Sequence, residues 1–568
     1  MFHLVNNPVA GSLPLSALVA ALPLLALFVL LGAMRWKAWQ AGLASLVVAL
    51  AVAVIGFRMP VGQALLAGGE GAAFGLFPII WIVLTAIWIF RLTELTGYDL
   101  VLRRAFGSLS PDHRVQAVLI AFCFGALLEA LAGFGTPVAV TAVMLMALGL
   151  RPIKAASVAL VANTAPVAFG AIAVPITTLG KITGLDPATI GAMVGRQTPI
   201  LAVLVPLMLV IMVDGRRGLR QAWLPALVGG LGFGGAQFLS SNFFNYQVAD
   251  IIAAITGALA VVILLRVWQP VQVLSADTGV SESVLVTTGV AVGTRTGSPA
   301  SRGTGTPDAG SGGLAGASRL GSGEALMAFA PYLIVVVLFT AVSFGPLKTF
   351  LDAHSGWKFA WPGLHVADAA GKPLGATTFN LNLFSAAGTV LLIAALLTAL
   401  LYRVSLSRAA MALVRVVVQF RYTILTVVSV LALAYVMNLS GQTVTLGVAF
   451  ASTGAFFAFL SPVVGWIGVA VSGSDTSSNS LFGLLQTTAA HQTGINPYLL
   501  AAANSSGGVL GKMISPQNLA IAAAVVGMEG QESVLFRKVI WWSLGMLAGM
   551  CVLVFLQSTP VLGWMLVK

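Results

Sequence analysis

The sequence predicts an all-α polytopic membrane protein made of inverted structural repeats, with discontinuous helices and hairpin-like breaks. Apolar stretches of about 20 residues, the length that crosses a hydrocarbon core about 30 Å thick, recur from end to end. Only 8% of the residues are charged, against roughly 25% in a soluble domain, which leaves too few to coat an aqueous surface. The two halves also repeat one another in motif and in order.

The first span is expected over 13–33. Its first basic residue, Arg35, follows the apolar core instead of preceding it, so the segment reads as an uncleaved span with its N-terminus outside, not as a secretory signal. Further spans are expected over 41–57, 72–90, 115–131, 137–150, 155–179, 190–213, 223–240 and 249–265, and, after a polar stretch, over 326–345, 381–401, 419–437, 445–471, 477–490, 498–526 and 540–564. Several are too short or too broken to cross straight. With the N-terminus outside, 21 of the 29 Lys and Arg residues fall in inner loops and six in outer ones, which supports this orientation and puts both termini in the periplasm. The net charge of +12 therefore marks cytoplasmic loops, not a nucleic-acid surface.

Residues 1–268 form an N-terminal transmembrane half, comprising repeat 1 and two extra spans, and 326–568 a C-terminal half holding repeat 2. The stretch 269–325 between them is rich in Gly, Ser and Thr and reads as a cytoplasmic linker. Residues 346–380 are the main external loop. Cys123 and Cys551 lie in apolar stretches and imply no disulfide framework.

The repeat is most explicit where LVANTAPVAFGAIAVPITTLG, from Leu160, meets LAAANSSGGVLGKMISPQNLA, from Leu500: Asn163 pairs with Asn504, Thr164 with Ser505, Gly170 with Gly511 and Pro175 with Pro516, all at an offset of 341. Arg196 and Arg537 share that offset, and both read as snorkelling at helix ends. AGFGTP around Gly133 faces SGSDTS around Gly473, and LTG at Gly97 faces LSG at Gly441. The orientation places repeated segments in opposite directions, so the repeats are inverted.

Each half carries two interruptions. One is hairpin-like, at Gly133, Gly135 and Thr136 in the first half and at Ser474, Thr476 and Ser477 in the second. The other is a polar break within a helix, at Asn163 and Thr164 and at Asn504 and Ser505. Irregular backbone at membrane depth is tolerated only against protein or a watery cavity. Amides freed at helix N-termini, together with Ser, Thr and Asn side chains, would hold a small carboxylate and its hydroxyl. Glu129, in GALLEALAGFG, has no charge near it in sequence, and Asp475 sits in the matching hairpin. An intramembrane charge costs at least about 2.5–3.5 kcal/mol, so such carboxyls are candidates to take up and release a proton as water comes and goes. Lys512, eight residues past Asn504, is a candidate counter-charge for a bound carboxylate.

GALLEALAGFGTPVAV, LVANTAPVAFGAIAVPI, VSGSDTSSNSLFG and AANSSGGVLGKMISPQNLAIA resemble the signatures of the L-lactate permease family of bacterial transporters, and the resemblance extends over nearly the whole chain apart from 269–325. It implies uptake of L-lactate, with D-lactate and glycolate, together with a proton across the inner membrane. A sodium-coupled carboxylate symporter is the alternative carrier. A channel would be distinguished by a rate that fails to saturate. An enzyme would need a nucleophile–base pair, metal ligands or a cofactor motif, and the sequence has none. No metal or cofactor is expected, and the oligomeric state is left open.

Overall fold

The computed structural model describes residues 2–5, 7–34, 36–107, 109–132, 135–268, 270, 322–343, 350–351, 356–367, 374, 377–384, 386–529 and 531–567. The chain is mostly helical. In the first half run α1 (Leu13–Phe28), α2 (Ala38–Ala51), α3 (Val61–Phe74), α4 (Trp81–Thr96), α5 (Tyr98–Gly107), α6 (His113–Gln116), α7 (Gly125–Ala132), α8 (Thr136–Ala147), α9 (Pro152–Ala162), α10 (Gly170–Thr183), α11 (Pro187–Val194), α12 (Thr198–Leu239, kinked where Asp214, Gly215 and Ala222 leave the helical conformation) and α13 (Ala249–Val267). The second half has α14 (Ser322–Ser343), α15 (Ala387–Leu401), α16 (Leu406–Ser440), α17 (Gln442–Ala451), α18 (Phe457–Ser472), α19 (Asp475–Thr493), α20 (Pro497–Gly511), α21 (Pro516–Val525) and α22 (Glu532–Gln557).

Among the described residues, ten helices are long and apolar enough to cross a membrane, and α9 with α10 forms an eleventh, bent by 62° at its break. Aliphatic side chains such as Leu18, Val47, Ile263 and Leu400 lie exposed on the outer helices, a surface that suits lipid and not water. By contrast, the span from His113 to Leu131 has every residue of its apolar window buried. It runs through the centre and carries Glu129.

Two details depart from the expected helices. The span expected over 72–90 is part of a longer segment, Val61–Thr96, interrupted at Phe77, whose backbone is extended (φ −137°, ψ 121°). Pro78 lacks an N–H and pushes the residue before it out of the helical region. The segment expected to form the external loop supplies short strands: β2 (Gly356–Ala360) pairs antiparallel with β4 (Thr378–Asn382), and β1 (Phe2–His3) pairs parallel with β3 (Val366–Ala367). The N-terminus and this loop thus share one face. Gln269 and residues 271–321, most of the expected linker, lie outside the described residues.

The punctuation of the two halves agrees. Left-handed glycines stand at Gly97, Gly135, Gly149 and Gly184 and again at Gly441, Gly473, Gly494 and Gly527. Gly97 and Gly441 close long helices, Gly135 opens α8 whereas Gly473 ends α18, Gly149 and Gly494 follow the helices that come next, and Gly184 and Gly527 follow the helices after the second break. Glycine is the residue that adopts this backbone without a Cβ penalty.

Candidate functional site

The last turns of α7 carry Glu129 into the middle of the protein, 3% exposed. Lys512, 6% exposed and 383 positions away, begins a 3₁₀ turn after α20, and its Nζ donates to Glu129 Oε1 at 2.6 Å. Asn163, at the C-terminus of α9, donates from Nδ2 to Glu129 Oε2 at 2.9 Å. Both carboxylate oxygens are therefore engaged, by side chains from opposite halves. Gly170 closes over the carboxylate: a Cβ there would lie 3.0 Å from Oε1.

Beyond Gly170 the backbone of α10 is unwound, with Ala171, Ile172 and Ala173 all left-handed (φ 46°, 57° and 54°). Such a run costs roughly 1–2 kcal/mol per residue for side chains with a Cβ. Strain of this kind persists only where the surroundings impose it, and it concentrates at functional sites.

Across the cavity, Gly473 ends α18 in the left-handed region, and Ser474 caps α19 by accepting from the backbone N–H of Ser477 at 3.3 Å. Asp475 opens α19. Its Oδ2 accepts from Ser505 Oγ at 2.5 Å and from Asn479 Nδ2 at 3.3 Å, while Oδ1 has no hydrogen-bond partner among the described residues. Behind it runs a buried amide ladder: Asn504 Nδ2 donates to Asn479 Oδ1 at 2.8 Å, Gln486 Nε2 to Asn504 Oδ1 at 3.1 Å, and Ser461 Oγ to Gln486 Oε1 at 2.8 Å. These bonds lock α18, α19 and α20 into one block.

A cavity of about 50 Å³ lies between the two clusters, lined by Glu129, Gly170, Ala171, Gly473, Ser474, Asp475, Thr476, Lys512, Gln517 and Asn518, with Val167, Val174 and Pro175. A second cavity of about 350 Å³ shares Ser474 and Gln517 with it, so the two are neighbours, and extends to Lys37, Trp39, Tyr422 and Thr426. It forms a vestibule at the end of the molecule where Trp39 stacks on Tyr422, their ring centroids 5.9 Å apart.

The family model for L-lactate permease matches residues 16–561. The chain belongs to the L-lactate permease family. Among curated relatives, this permease is 39% identical to the L-lactate permease of Bacillus subtilis, over 99% of each chain, and 39% identical to the glycolate permease GlcA of Escherichia coli, over 96% of each. The YdaH transporter of Alcanivorax borkumensis is a looser likeness, with 15% identity over 86% of each chain and a TM-score of 0.41.

Five of the candidate site residues line the central cavity of the permease, Glu129, Lys512, Ser474, Asp475 and Thr476, together with the repeat positions Gly170, Pro175 and Gly473. Ser477 lines the vestibule. Asn163 and Ser505 stand one hydrogen bond behind, on Glu129 and Asp475. Asn504 is wholly buried in the amide ladder, and the Thr164 hydroxyl donates to its own helix at Val161 O. Gly135 abuts Ile521 of α21, and Thr136 starts α8 without lining either cavity. Gly133 lies outside the described residues.

Two expectations change. No break occurs at Asn504: α20 is continuous from Pro497 to Gly511, and the interruption comes at Lys512–Ser515. Its glycines serve close packing instead, since a Cβ on Gly507 would run into the backbone of Pro462. Arg196 does not snorkel. Its guanidinium donates to the carbonyls of Met565 and Leu566 at 2.8 Å and to Asn242 Oδ1 at 2.9 Å, tying the C-terminus to the first half.

Gly508 carries a sharp prediction. A Cβ there would sit 2.6 Å from Asp475 Oδ1 and 2.8 Å from Val469 Cγ2. Gly508→Ala should therefore cost about 1–3 kcal/mol, the usual penalty for overpacking, and displace the Asp475 carboxyl. Thermal unfolding in detergent reads the first effect and lactate uptake the second; an unchanged melting temperature with wild-type uptake would contradict this geometry.

Proposed function

We propose that this permease takes up L-lactate, D-lactate and glycolate with a proton across the bacterial inner membrane, by alternating access between two inverted halves with both termini periplasmic. The observation that carries the reading is the Lys512–Glu129 pair, buried between the halves at the wall of a cavity that also holds Asp475.

The pair couples anion and proton by competition. An arriving carboxylate binds the Lys512 ammonium and takes the place of Glu129. Glu129 is then a buried carboxylate without its cation, a state that costs several kcal/mol, and taking a proton removes that cost. The loaded cavity holds one added anion and one added proton, so no net charge is left in the low-dielectric interior while the halves move. Ser474 and Thr476, at the start of α19, offer hydroxyls and a positive helix end to the substrate. Gly170, Ala171 and Val174 shape the wall from the first half, while Gly135 and Thr136 stand outside it at the start of α8. Asn163 and Ser505 hold the two carboxyls in place, Asn504 braces α20 against α19, Thr164 stands at the end of α9, and Ser477 meets the substrate in the vestibule. Asp475, with one oxygen unpartnered, is the second proton-exchanging group.

The central cavity has room for only a few water-sized groups, and the vestibule beside it marks the route toward one face. In the proposed orientation that face is the cytoplasm, since Lys37 and Arg421 belong to inner loops.

Uptake of labelled L-lactate, D-lactate and glycolate into proteoliposomes tests the reading. All three should be driven by an inwardly directed proton gradient, lose that drive with an uncoupler, and be indifferent to sodium. Uptake driven by a sodium gradient at equal pH would replace the proton with sodium as the coupling ion.

A further inference from the structure

Glu129 is not the only carboxyl buried in the first half. Asp250 stands in the first turn of α13, 1% exposed. Its Oδ1 accepts from Gln237 Nε2 at 2.8 Å, and the Gln237 amide is set by Thr198 Oγ1, which donates to Gln237 Oε1 at 3.2 Å. Its Oδ2 has no hydrogen-bond partner among the described residues, and no Lys or Arg there forms an ion pair with it. Glu129, by contrast, has both oxygens engaged.

A carboxyl placed in the membrane only to hold helices together would be expected to have its oxygens satisfied. The orphan oxygen of Asp250 instead has room for a proton of its own. The helix that carries it packs on α7, the helix of Glu129, and on the buried 117–124 segment. The other titratable groups on elements packed against α13 are Cys123 on that segment, Tyr246 in the turn before α13, and Asp214, Arg216, Arg217 and Arg220 near the middle of α12. Tyr246 is committed to Thr177, its hydroxyl 3.3 Å from Thr177 Oγ1, and Asp214 to the buried Arg114 at 3.1 Å. Glu129 is the natural receiver.

We propose that Asp250 is the proton-relay residue that charges Glu129 from the outer face. The inference rests on the reading of Glu129 as the proton-coupling group. Asp250 holds a proton on its free oxygen; when the substrate has taken Lys512, that proton moves to the Glu129 carboxylate. Glu129 becomes neutral and Asp250 is left ionised, to be reprotonated from the side where α13 begins. In the proposed orientation that side is the periplasm, opposite the vestibule. Substrate and proton then reach the centre by separate routes.

The experiment compares Asp250→Asn, Asp250→Glu and Glu129→Gln in proteoliposomes, reading both proton-gradient-driven uptake of L-lactate and exchange of internal for external L-lactate at equal pH. Asp250→Asn keeps the shape and most of the hydrogen bonding, and should lose driven uptake by about tenfold or more while keeping exchange within about twofold of wild type. Asp250→Glu should restore driven uptake and its dependence on external pH. Driven uptake near wild type in Asp250→Asn, alongside its loss in Glu129→Gln, overturns the relay and leaves the Glu129 reading standing. Loss of exchange as well as uptake in Asp250→Asn also overturns it, since that is the mark of a structural role. Driven uptake that survives in Glu129→Gln refutes the Glu129 reading itself.

Discussion

Lys512→Met should abolish lactate uptake and destabilise the folded protein by about 3–5 kcal/mol, the range found when one partner of a buried ion pair is removed. Methionine fills much the same space, so the loss comes from charge. Glu129 would keep its bond from Asn163 but lose the only cation that pairs with it among the described residues. The double variant Glu129→Gln with Lys512→Met removes both charges and should recover most of the stability, because replacing a whole buried pair is often neutral. It should not recover transport, since the substrate carboxylate would find no ammonium. Thermal unfolding of the three proteins in one detergent separates the outcomes. A single variant as stable as the wild type would mean that the pair contributes nothing to the fold.

Glu129→Gln carries the second large effect. Glutamine preserves the shape, its Oε1 can still accept from Lys512, and its Nε2 can donate to the unpartnered Asn163 Oδ1 once that amide turns over, so the variant should fold and reach the membrane. It cannot exchange a proton. With a permanently neutral side chain in place, Lys512 is always available to the substrate, so lactate should bind at least as well as in the wild type. Net uptake against a gradient should fall by about tenfold or more, the factor that 1.4 kcal/mol of lost coupling produces.

The membrane class and most helix positions were legible in the sequence because span length and charge asymmetry are properties of short windows. Glu129, Asp475 and Lys512 were legible for a related reason: each is a charge in an apolar window, and the cost of placing it there marks it. Pairing was not legible. Nothing local joins Lys512 to Glu129 across 383 positions, and Lys512 read as a partner for substrate when its resting partner is a side chain. Asn504 misled because Ser-Ser-Gly-Gly after it looks like a helix break, whereas those glycines let α18 approach α20. Gln517 and Asn518 line the cavity but fall inside the span expected over 498–526, where only Pro516 beside them was marked, as a repeat position. Asp250 and Glu70 fall at the edges of expected spans, where a carboxylate passes for an interfacial residue; both are 1% exposed. The break at Pro78 was written in the sequence as a proline inside an apolar run, and its effect on Phe77 follows from proline sterics.

The central claim is that the Glu129 carboxyl exchanges places with substrate at Lys512 and carries the proton. Measuring labelled L-lactate in proteoliposomes of Glu129→Gln, first under a proton gradient and then in exchange at equal pH, tests it most directly. The account predicts that accumulation is lost and exchange persists. Accumulation at the wild-type rate would contradict it.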